Sequence, residues 1–187
     1  MTRNRLLVIG GLAAAGLVAG LLLVFLGGDS NPPVAHVAGE TISRDQLDVA
    51  VEHFRNEAKS EGTPFPDESS DRFRAIRNRL LGVLIYRAEL AQAAKRLGVR
   101  LTNVEVLRRM NAGSGGEEDA QSSDRFQYDT VKAQMLYERI YATVTRSVTA
   151  PTTAQLAARR NAAMKQYIDR LERETQVRYE PGYAPGP

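Results

Sequence analysis

Cysteine and tryptophan are absent from this 187-residue chain, and histidine occurs only twice, at His36 and His53. Without cysteine there is no disulfide scaffold, no zinc–thiolate site, no thiol nucleophile and no thioether-linked lipid anchor. Neither histidine has a histidine four residues away or an HExxH frame, so both read as ordinary packing or surface residues. No GxxxxGK, GxSxG or SxxK motif occurs, and the GSGG at 113–116 runs into acids that would repel phosphate. An excess of one charge is missing too. The 25 basic residues against 22 acidic ones leave +3, too balanced for the dense stripe that nucleic acid requires. The acidic runs Asp67-Glu68 and Glu117-Glu118-Asp119 fall in loops, where solvation accounts for them. The expectation is a chain with no metal, no cofactor, no nucleic-acid partner and no catalytic residue.

What is present begins with a long apolar run. Leu6 to Leu26 is 21 residues without a polar side chain. As a helix this run is about 30 Å long, the thickness of a bilayer's hydrocarbon core. Arg3 and Arg5 precede it and no Lys or Arg follows until Arg44, so the N-terminus is expected in the cytoplasm and the remainder outside. The run exceeds the apolar stretch of a cleaved signal peptide, about 7–15 residues. A retained single-pass anchor is therefore preferred over secretion after cleavage. Gly16 and Gly20 form a GxxxG pair, which could bring two such helices together as a weak dimer.

The expected organisation is a cytoplasmic stub and anchor at 1–28, a linker at 29–33, a helical domain at 34–180 and a disordered tail at 181–187. Val34 to Val37 reads as a short strand, turned by Ala38-Gly39-Glu40 into Thr41-Ile42. Ser43 and Gln46 make a capping box for a helix carrying Leu47, Ala50, Val51, Phe54 and Ala58, ended by Gly62. The longest helix is expected from about Ser70 to Leu97, with an apolar stripe broad enough to make it the central one. Gly82 in its middle should cost about 1 kcal/mol relative to Ala unless something packs close by. A second capping box, Thr102 to Glu105, opens a short helix with Val104, Leu107 and Met110; a mobile loop is expected at 111–123. Helices from about Asp124 to Ser147 and from Thr152 or Thr153 follow. Gln176 to Tyr179 is then extended and able to pair with the first strand. The fold class is mainly α: an anchor, then about five helices with a two-to-three-stranded sheet joining the domain's ends.

Large adaptable side chains are plentiful, and Met and aromatic residues suit loosely specific binding because they repack. The candidate apolar surface is Phe54, Phe65, Tyr86, Met110, Phe126, Tyr128, Met135, Tyr137, Met164 and Tyr167. Of these, Phe65, Tyr128 and Tyr137 are the ones most expected to be exposed.

VAHVAGETISRDQL and the block RFRAIRNRLLGVLIYRAELAQAAKRLGVRLTNVEV resemble the N-terminal chaperone module of SurA and PrsA-like foldases. The matching positions are Val34, Val37, Gly39, Ile42 and Ser43. In the second block they are Leu81, Leu84, Ile85, Leu90, Ala93, Ala94, Leu97, Gly98, Val99, Thr102, Glu105 and Val106. Ala38 stands where that family usually has Asn. The closing KQYIDRLERETQVRYEPGY is similar to the family's last helix and strand. In these foldases a parvulin isomerase domain lies between the last two helices; here only Val148 to Pro151 separates them. The resemblance implies a membrane-anchored extracytoplasmic chaperone, independent of ATP, that binds unfolded or newly exported polypeptides through an apolar groove and lacks isomerase chemistry. A dedicated assembly factor for one envelope complex is the alternative, and a prolyl isomerase the least favoured.

Overall fold

The computed structural model describes residues 31–113 and 124–184. Three strands and five helices follow in order: β1 (Pro33–Val37), β2 (Glu40–Ser43), α1 (Arg44–Ser60), α2 (Asp71–Arg96), α3 (Asn103–Gly113), α4 (Asp124–Val144), α5 (Thr153–Glu174) and β3 (Val177–Tyr179). The expected span at Leu6 to Leu26, its Gly16 and Gly20, residues 114–123 of the expected loop and residues 185–187 of the tail lie outside the described residues. Among those described, no helix is long and apolar enough to cross a membrane.

The sheet has the order β2-β1-β3, antiparallel throughout. Ala38 and Gly39 turn β1 into β2, both with positive φ (51° and 86°), the sign pattern of a type I′ hairpin. On the other side of β1, His36 pairs with Arg178 and Val37 with Val177, so the two ends of the domain meet in one sheet. A bulge between Pro33 and Ala35 breaks the two-residue alternation and buries both Val34 and Ala35. The linker expected at 29–33 is one residue shorter at its C-terminal end, because Pro33 already belongs to β1.

The starts of α1, α2 and α5 each follow a local polar signal. The Ser43–Gln46 box is closed in both directions, with Gln46 N–H donating to Ser43 Oγ at 3.3 Å and Ser43 N–H to Gln46 Oε1 at 2.9 Å. Ser70 caps α2 through Phe73 N–H at 3.1 Å, and Thr152 caps α5 through Gln155 N–H at 3.3 Å. Gly62 and Gly98, with φ of 68° and 66°, carry the chain out of α1 and α2 in the left-handed conformation that glycine adopts without penalty. The third helix runs to Gly113, so residues 111–113 are helical rather than part of a loop. The fourth ends at Val144, three residues short of Ser147. There Thr145 Oγ1 bonds back to Tyr141 O at 2.8 Å and the chain turns.

Two apolar clusters lie along α2. The first joins the sheet to α1 and the N-terminal half of α2 through Val34, Val37, Ile42, Leu47, Leu81 and Ile85. The second joins the C-terminal half of α2 to α4 and α5 through Leu90, Ala93, Leu136, Ile140, Met164 and Leu171. The central helix therefore works as a shared spine. Residues 181–184 of the expected disordered tail are held instead. Tyr183 packs on the first cluster, its hydroxyl accepts from Arg44 Nε at 3.1 Å, and the Arg77 guanidinium lies 5.2 Å from its ring centre.

Candidate functional site

A cleft of about 220 Å³ opens where β2, the start of α1, the middle of α2 and α4 converge. Its floor is apolar and made largely of short side chains: Ile42, Val49, Leu84, Ala88, Ala91 and Ala133. Helical spacing explains the α2 contribution, because Leu84, Ala88 and Ala91 fall at i, i+4 and i+7 on one face. The short side chains of Ala88, Ala91 and Ala133 leave space between α2 and α4 unfilled. Charged groups of both signs form the rim: Glu40, Asp45, Arg87, Arg125, Asp129 and Lys132. Glu40 is tied to Lys95 at 2.7 Å. The Arg87 guanidinium lies over Phe126, 4.3 Å from the ring centre, and donates to Thr130 Oγ1 at 2.6 Å. Burial pulls that guanidinium below its ordinary pKa, with Asp129 acting in the opposite sense. The His53 ring lies against the same ring, centroids 4.7 Å apart and planes tilted by 35°, so Phe126 is contacted by both side chains.

Chemically this cleft can receive apolar side chains of an extended segment, with polar main chain left at the rim. Its volume is below the roughly 300–1,000 Å³ of a typical small-molecule pocket. Among the described residues no group of three or more His, Asp or Glu side chains is placed to hold a metal ion.

Of the ten residues singled out from the sequence, Phe126 lines this cleft. Phe54 and Tyr137 are exposed, on α1 and α4. Phe65, expected at the surface, is half-buried: it packs edge-on to Phe73 at 6.2 Å and beneath Arg55 at 5.2 Å. Tyr128 is half-buried too, its hydroxyl donating to Asn103 Oδ1 at 2.8 Å to tie α4 to α3. Tyr86 and Tyr167 pack against the second cluster, and Met110 and Met135 are half-buried. Met164 is a correction. It is only 2% exposed, enclosed by the second cluster, and belongs to the core.

The cleft floor was missed because alanines and a single valine carry little weight in a count of large apolar residues. The broad stripe on α2 was the available signal, since part of its width faces the cleft and not the core. Val83 of α2 is exposed, as are Val104 (63%) and Leu107 (50%) on α3.

With the geometry established, comparison with known proteins adds one match. A family model described as the SurA-like N-terminal domain matches residues 3–135. That range takes in the sheet hairpin, α1, α2, α3 and the first half of α4, and with them nearly all the cleft. No curated protein matches the chain.

Proposed function

The chain belongs to the SurA-like N-terminal domain family, which is of chaperone type, and on that premise we propose that it is a membrane-anchored extracytoplasmic holdase. In this reading it keeps unfolded or newly exported polypeptides from aggregating, without ATP, by seating their apolar side chains in the cleft between β2, α1, α2 and α4. The observation that carries the proposal is the pairing of an apolar floor with a rim of both charge signs. Such a site rewards burial of any apolar side chain while rejecting none by charge, which suits many clients at modest affinity. Binding of that kind is released spontaneously, because few contacts hold each segment.

The reading that the chain is anchored rests on the 21-residue apolar run from Leu6 to Leu26. Tethering would raise the effective concentration of the domain near the site where chains emerge. The proposal also treats the protein as a binder and not an isomerase. A proline-limited refolding assay should show no catalytic acceleration, and a true rate enhancement would contradict it.

The direct test is aggregation of a denatured model protein in the presence of the full chain. Suppression is expected at a few-fold excess, and Ala91→Phe, which fills the cleft floor, should remove most of it. Suppression unchanged by Ala91→Phe would move the binding surface elsewhere. A dedicated assembly factor is the second reading, favoured by the exposed Val104 and Leu107 on one side of α3. Cross-linking in cells separates the two, since one stoichiometric partner would favour assembly and many partners a chaperone.

A further inference from the structure

The sheet has an edge that the fold leaves open, and the cleft lies along it. Val37 and Glu40 flank the two-residue turn, so in the type I′ hairpin they exchange both main-chain hydrogen bonds. Antiparallel pairing alternates. The next pair, His36 and Thr41, is therefore not bonded across the ladder, and the Thr41 N–H and C=O point away from β1. Ser43, two residues on, has the same outward direction, its N–H donating to Gln46 Oε1 at 2.9 Å. With β2 outermost in the order β2-β1-β3, the Thr41 main chain has no hydrogen bond to any other described element. Thr41 is exposed, and it lines the cleft together with Glu40 and Ile42. No residue of β3, the sheet's other edge, lies there.

An extended segment seated in the cleft would carry its own N–H and C=O groups past Leu84, Ala88 and Ala91, whose side chains can bond neither. At the rim, Arg87 is engaged by Thr130 and Glu40 by Lys95. Thr41 offers a donor and an acceptor side by side, at strand spacing, to the same space. We propose that the cleft holds an unfolded polypeptide as an added strand, its main chain paired to Thr41 on the open edge of β2. In the antiparallel sense, one client residue accepts from Thr41 N–H and donates its own N–H to Thr41 O. Every residue but proline presents those two groups, so this contact is blind to side-chain identity. Ser43 N–H is occupied and the turn closes the other end, so the slot is one residue long. So short an edge keeps each encounter weak and gives copies of the chain little to pair with. The inference rests on the reading of this protein as a polypeptide binder and specifies how the client's main chain is recognised.

The test uses the full chain in detergent or lipid nanodiscs and three labelled forms of one unstructured apolar peptide. One is unmodified, one is N-methylated at every second residue, and one is N-methylated at every residue. Alternate methylation leaves one strand edge intact, so that form should bind like the unmodified one by anisotropy. Full methylation removes every N–H while adding apolar surface, and should weaken binding about tenfold. The unmodified peptide should also slow deuterium exchange at the Thr41 amide. Thr41→Pro removes that N–H without touching the bonds to β1, and should weaken the unmodified peptide to the level of the fully methylated one. Thr41→Val, which keeps the N–H, should bind as the wild type does. The peptide series decides if Thr41→Pro fails to fold. Equal binding of all three forms would overturn strand addition and leave the cleft proposal standing, as would equal loss on alternate and full methylation. A Thr41→Pro variant that binds normally, or alters only the association of the chain with itself, would also overturn it. Failure of the unmodified peptide to bind would overturn both readings together.

Discussion

At the scale of single residues, two positions hold a backbone or side-chain choice that the surroundings do not require. Ala38 adopts a left-handed conformation, φ 51°, at the first central position of a type I′ hairpin. An L-residue with a plain methyl pays for that conformation, whereas Asn tolerates it and is favoured before Gly. Ala38→Asn should therefore raise stability by about 0.5–1 kcal/mol, read from the denaturation midpoint. Gly82 sits inside α2, and a Cβ built there meets nothing within 4 Å. Replacement by Ala should stabilise by about 1 kcal/mol. A loss of stability on Gly82→Ala would mean that something does approach this face. Both glycine and turn chemistry were legible from the amino-acid sequence, because each is decided within a few residues. The burial of Glu89 was not, since the elements that cover it are distant in sequence and no local spacing announces them.

At the scale of elements, one carboxylate joins the start of α3 to α4. Glu105 accepts from Thr102 N–H at 2.8 Å and from Thr102 Oγ1 at 2.8 Å, and it pairs with Arg139 of α4, whose guanidinium also reaches Arg100 O. These bonds, the backbone one first, lower the Glu105 pKa to about 2. A lowered carboxylate stabilises the fold fully above its unfolded value and progressively less as pH falls through the folded one. The wild-type midpoint should therefore drop between about pH 4.5 and pH 2 more steeply than that of Glu105→Gln, as followed by circular dichroism. Parallel curves would show that the box adds no acid sensitivity. The C-terminal closure is a second such element. Tyr183→Ala removes the contacts to Arg44 and Arg77 and should cost about 1–2 kcal/mol. Capping boxes, glycine stops and the pairing of β3 with β1 could all be read in advance. The bulge at Val34 could not, because burial of both Val34 and Ala35 beneath the sheet decides it.

At the scale of the whole molecule, the sequence pattern located a helical domain closed by a sheet, but not the cleft. Large apolar residues drew attention to the surface, yet Met164 is core and Phe65 half-buried, while the floor is made of Ala88, Ala91 and Ala133. A groove arises from what facing helices leave unfilled, and small residues far apart in sequence leave it. The arrangement gives the domain an apolar channel rimmed by both charges along one side of α2. The central claim is that unfolded chains occupy this channel. A photoactivatable phenylalanine analogue placed at Val49 of the full chain, irradiated in cells, tests it most directly. The account predicts adducts with many exported polypeptides, increasing when unfolded chains accumulate and absent when the same group is placed at the exposed Asn56. A single discrete adduct, or none above the Asn56 control, would contradict it.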